Sequence, residues 1–96
     1  MNKQEINQAV AVRMGYPVDA LGPLIPAGKL HAFDNGAVAI PFNPMEEEAS
    51  AWLALSWLCS QLGPMTACRR VSACCFQAKN INHAVCMAVT TLEVEA

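Results

Sequence analysis

Residues 43–77 read NPMEEEASAWLALSWLCSQLGPMTACRRVSACCFQ, and the fold turns on how this stretch is divided. Asn43 suits an N-cap, Pro44 the first helical position, and Glu46, Glu47 and Glu48 lie where a helix dipole favours negative charge. The helix that follows should stop at Gly63-Pro64. Between these ends stand Trp52, Leu53, Leu55, Trp57, Leu58, Cys59 and Leu62, whose positions step round the whole circumference. A helix that is apolar on all sides must be covered on more than one side, which a single sheet cannot do. Beyond the Gly-Pro stop, Met65 to Gln77 reads as strand. Ala67, Arg69, Val71, Ala73 and Cys75 would share one face, with Cys68, Arg70, Ser72, Cys74 and Phe76 on the other. The alternation is imperfect, because Arg69 and Arg70 fall on opposite faces, so the segment reads as one long strand or two short ones.

Upstream, Asn2 followed by Glu5 forms a capping box, and Ile6, Ala9, Val10 and Met14 recur at helical spacing until Gly15 stops the run. This predicts a helix over residues 3–14. Pro17 to Gly28 carries Pro17, Gly22, Pro23, Pro26 and Gly28, a punctuation that argues against regular structure. Residues 29–33 and 37–40 flank Asp34-Asn35-Gly36, which suits the positive φ angles of a tight hairpin turn. Downstream, Asn80 or Asn82 can cap a last helix whose Val85, Ala88, Val89 and Leu92 form a stripe widened by Ala84. Glu93 and Glu95 fall at the unfavourable end of its dipole, so the last turn should fray. The order helix, hairpin, helix, strand, helix predicts an α+β fold, a small α/β/α sandwich in which an antiparallel sheet of three or four strands separates three helices.

The chain has 96 residues, a length for one domain over 1–96 with a single core. Surface scaling leaves it able to bury roughly 64% of the unfolded area, enough to fold alone with little margin. Charged residues make up 15% where about 25% is usual, and hydrophobic residues reach 54%. That balance excludes disorder, collagen and a Glu/Lys-rich coiled coil. A net charge of -2 with six basic residues argues against direct nucleic-acid binding, whose affinity comes largely from phosphate neutralisation by clustered Lys and Arg. The first residues lack the basic-then-apolar pattern of a secretory signal, so a cytoplasmic location is expected. The apolar run Ala49 to Leu62 is broken by Ser50, Ser56, Ser60 and Gln61 and falls short of the ~20 residues a membrane span needs. No membrane partner is expected. Five cysteines, an odd number, read in a reducing compartment as free thiols that pack as small hydrophobes.

Several residues resemble a known family. An N-terminal helix ending in Gly15-Tyr16, the lead-in Phe42-Asn43-Pro44 to a Trp-bearing helix, and a closing Asn82-His83-Ala84-Val85-Cys86-Met87-Ala88 resemble the small phage and prophage proteins of the phage ABA sandwich domain family. The resemblance runs over most of the chain. It implies an α/β/α sandwich, a phage or prophage setting in a host cell, and no catalytic residue to carry over. Small phage proteins of this size often act stoichiometrically on host machinery, including inhibition of CRISPR or other defence complexes, an analogy of setting since fold does not fix function.

Chemical motifs are few. His83 and Cys86 share one helical face, with Cys74 and Cys75 available opposite, yet the CxxC and HxxxH pairs of zinc sites are missing; buried thiols and a capping His explain the same residues. Cys68 beside Arg69-Arg70 meets one requirement of a reactive thiolate, without any of the catalytic cysteine signatures. The carboxylates of Glu46, Glu47 and Glu48 diverge round a helix and already serve its N-terminus. No phosphate loop or HExxH motif occurs. The expectation is no catalytic residue, no metal and no cofactor. Trp52 and Trp57 lie about 140° apart round their helix, so either both are core or one belongs to an interface, where Trp and Arg are enriched among energetic anchors.

The leading expectation is therefore a non-enzymatic protein-binding module of phage type. Its candidate interface residues are Trp52, Leu55 and Trp57, with Arg69 and Arg70 at the rim. Self-association as a homodimer comes first, because so apolar a chain must cover surface. A second phage or host protein, such as a defence complex, would use what remains. Two alternatives are a thiol- or zinc-dependent site at Cys74, Cys75, His83 and Cys86, and a virion assembly component.

Overall fold

The computed structural model describes residues 2–19, 22–25 and 40–92. Asn2 caps the first helix, α1 (Lys3–Met14), its side-chain oxygen accepting from the Glu5 backbone N–H at 2.8 Å. Gly15 closes it in the left-handed conformation at φ 77°, and its N–H caps the carbonyls of the last turn. The bounds are those the capping signals predict. Asn7, Val10 and Ala11 face inward.

Among the described residues three short strands follow: β1 (Val18–Asp19), β2 (Gly22–Ile25) and β3 (Ile40–Pro41). They pair antiparallel in that order, with Val18 opposite Pro23 and Leu24 opposite Pro41. Regular pairing thus occurs inside a stretch whose prolines and glycines argued against it. Pro23 has no N–H to give, but its carbonyl accepts from Phe42 N at 2.9 Å, while Leu24 N donates to Pro17 O at 2.9 Å. The hairpin expected around Asp34-Asn35-Gly36 and the fraying turn at Glu93 and Glu95 lie outside the described residues.

The remaining helices are α2 (Glu48–Leu62), α3 (Pro64–Cys74) and α4 (Ile81–Thr90). The expected sandwich is overturned: the described chain is predominantly helical, with helices of 12, 15, 11 and 10 residues against strands of two, four and two. Among the described residues, pairings so short make no layer between helices. The decisive correction is α3, where a strand was expected. Pro64 ends one helix and begins the next, because a missing N–H costs nothing at the first helical position. Gly63, at φ 84°, makes the corner between them. Ala67 and Val71 are buried four apart and Cys74 is partly buried three further on, the period of a helix.

The second helix also starts later than its capping signals predict. Asn43 does not cap it; the backbone turns at 44–46, with Asn43 O accepting from Glu46 N and Glu47 N. The Asn43 side chain is instead bonded to Asn7, at 2.6 Å. The helix enclosed on several sides is α4, which touches α1, α2 and α3. Ala84, Val85, Cys86, Ala88 and Val89 are all buried there. Small side chains at 84, 86 and 88 let neighbouring helices approach closely. Its N-cap is Asn80, accepting from His83 N at 2.8 Å. Its other end is held by two arginines: Arg13 of α1 donates to Leu92 O, and Arg70 of α3 donates to Ala88 O and Thr91 O at 3.2 and 2.8 Å.

Candidate interaction surface

On α2 the side chains sort by angle. Ser50, Ala51, Ala54 and Leu58 are buried against the core. Leu53 and Trp57, partly buried, turn to the end of α1, where with Met14, Tyr16, Ser56 and Ser60 they line a cavity of about 250 Å³. Tyr16 is fixed there by an edge-on contact with Phe42, centroids 4.9 Å apart and planes at 72°. Burial pushes the Tyr16 hydroxyl above its ordinary pKa. Leu55 lies on the other flank, partly buried. Trp52 points outward and is 68% exposed. The two tryptophans therefore divide: Trp57 packs on the core and Trp52 stands in solvent.

The arginine pair divides too. Arg69 is exposed, whereas Arg70 is spent on the carbonyl end of α4, where its charge opposes the helix dipole. Of the five expected interface residues, Trp52, Leu55 and Arg69 lie on outward or flanking positions, and Trp57 and Arg70 hold the fold together. Met65 and Phe76, missed at the sequence level, are 72% and 93% exposed. The signal for them was present: Met65, Arg69, Ser72 and Phe76 follow one another at helical spacing, opposite Ala67, Val71 and Cys74.

The proposed thiol and metal group does not assemble. Cys86 is fully buried on α4, and burial pushes its thiol up to about 12, while Cys75 is exposed. His83 accepts at Nδ1 from Lys79 N, 3.1 Å away, so its ring closes the turn before α4. Among the described residues no group of three or more His, Cys, Asp or Glu side chains could hold a metal ion. Glu46 forms an exposed ion pair with Lys3 at 3.3 Å, a contact worth little in solvent. No helix among the described residues is long and apolar enough to cross a membrane.

What fold and surface define is a small, mainly helical protein with an aromatic side chain presented on an outer helix. Comparison with protein-family models, with curated proteins and with solved structures finds no match to this chain.

Proposed function

We propose that this chain is a non-enzymatic protein-binding module whose contact surface is the outer side of α2 and α3, and whose first partner is a second copy of itself. One observation carries the reading: Trp52, one of the two tryptophans of α2, is 68% exposed. Exposed Met65 on the adjoining helix and Phe76 in the turn after it add apolar surface, and a chain with 15% charged residues has few ionic groups to cover it. Large aromatics surrounded by few charges are what interface centres are made of. A host defence complex as partner rests only on the resemblance to a sandwich family, and the fold described above is not a sandwich. The partner is therefore argued from the surface.

Light scattering coupled to size exclusion, from low to high micromolar protein, tests the reading. The expected result is a mass that rises toward a dimer in the native chain and stays monomeric in Trp52→Ser, with the same far-ultraviolet circular dichroism. A strict monomer at every concentration overturns the reading.

A further inference from the structure

Two outward stripes carry matching spacing and complementary chemistry. On α2, Glu48, Trp52 and Leu55 stand at i, i+4 and i+7; on α3 and its final turn, Arg69, Ala73 and Phe76 stand at the same intervals. Each set is one helical face spanning roughly 10 Å. The bond from Ala78 N to Cys74 O, at 3.0 Å, keeps the helical sense past Cys74, so Phe76 stays near register. Glu48, Arg69 and Ala73 are exposed, Trp52 and Phe76 strongly so, and Leu55 is half-buried. Among the described residues the ion pair is Lys3–Glu46, and α3 carries no acidic side chain.

We propose that α2 of one copy lies parallel to α3 of a second copy, in the register Glu48 to Arg69, Trp52 to Ala73 and Leu55 to Phe76. Every rung is complementary: a carboxylate meets a guanidinium, the bulkiest side chain meets a methyl group, and a branched aliphatic meets a phenyl ring. Slipping the register by one turn in one direction sets Trp52 against Arg69, and in the other sets it against Phe76, losing the ion pair each time. In the proposed dimer a two-fold axis repeats the contact, so that each copy gives its α2 stripe to the other and receives on its α3 stripe, and the assembly closes. This register rests on the self-association argued above and fixes its geometry.

The test is a charge swap on the full chain, with the dimer constant measured by sedimentation equilibrium. Glu48→Arg and Arg69→Glu should each weaken the dimer at least about tenfold, because each places two like charges face to face, twice per dimer. The double variant should recover most of the loss. Ala73→Arg, at an exposed position, should keep the far-ultraviolet circular dichroism of the native chain and abolish dimerisation by filling the space for Trp52. If the native chain dimerises and Trp52→Ser disrupts it, but the charge variants act independently, the register is overturned while self-association stands. A native chain that never dimerises overturns both.

Discussion

The Asn7 side chain joins α1 to the turn before α2, donating from Nδ2 to Asn43 Oδ1 at 2.6 Å while its Oδ1 accepts from Met45 N at 3.0 Å. A third bond secures the same turn, from Asn43 N to Ser50 Oγ at 3.0 Å. The Asn43 side chain is thereby diverted from capping α2 to a contact made across 36 residues of sequence. Asn7→Ala leaves the buried Met45 N–H without its acceptor and should cost about 1–3 kcal/mol in urea unfolding. Asn7→Asp keeps the acceptor and loses the donor, placing a carboxylate against Asn43 Oδ1, and should be no better than the alanine variant at neutral pH.

Neighbouring arginines should behave differently. Arg70→Met removes two donors from the carbonyl end of α4 and should destabilise by about 1–2 kcal/mol. Arg69→Met, at an exposed position, should stay within about 0.5 kcal/mol when measured at concentrations too low for association. Equal losses at both positions would contradict the assignment of Arg70, and not Arg69, to the helix end.

Stability should fall in alkali. Burial raises the Cys86 thiol from 9.0 to about 12, so between those values the unfolded chain releases a proton that the folded chain retains. The thiol's contribution is fully present below pH 9 and is lost as pH rises to about 12, with a slope of about 1.4 kcal/mol per pH unit. Tyr16, also raised by burial, adds a loss of the same sign above its ordinary 10.0. Cys86→Ala should flatten the first part of the curve, at a packing cost of about 1 kcal/mol. Unfolding midpoints in urea across pH 8–11 would check this.

Thiol reactivity should report the same burial. Cys68 and Cys75 are exposed and should react first with a disulfide reagent in the native chain; Cys59 and Cys74, half-buried, should follow. Cys86 should react only as the chain unfolds, with a rate that rises with denaturant.

Where no distant contact overrides it, as Asn7 does at Asn43, a local signal in the sequence is readable. The Asn2 cap and the Gly15 stop bound α1, and Asn80 begins α4, because a cap is a bond between residues three apart. The strand expected over residues 65–77 failed because Ala and Cys are compatible with either period, and Arg69-Arg70 were weighed as a break in alternation. They are, in the fold, one outward and one inward-reaching side chain of a helix. The strands β1 and β2 were missed because Gly22 and Pro23 read as breakers, while pairing with Asp19 and Val18 makes use of both.

The candidate surface was legible in its members and not in their roles. Trp52 and Trp57 had to diverge by helical geometry, but which would be enclosed depended on where the end of α1 came to rest.

Composition and capping determined, from the chain alone, a small apolar domain with the first helix in place and the ends of others marked. The tertiary structure decided which helix occupies the centre. The segment richest in tryptophan and leucine lies outside, and α4, whose Ala84, Cys86 and Ala88 allow close approach, is surrounded. Caps and turns are relations within a few residues, whereas burial is a relation between segments distant in the chain, set by which side chains permit helices to come near.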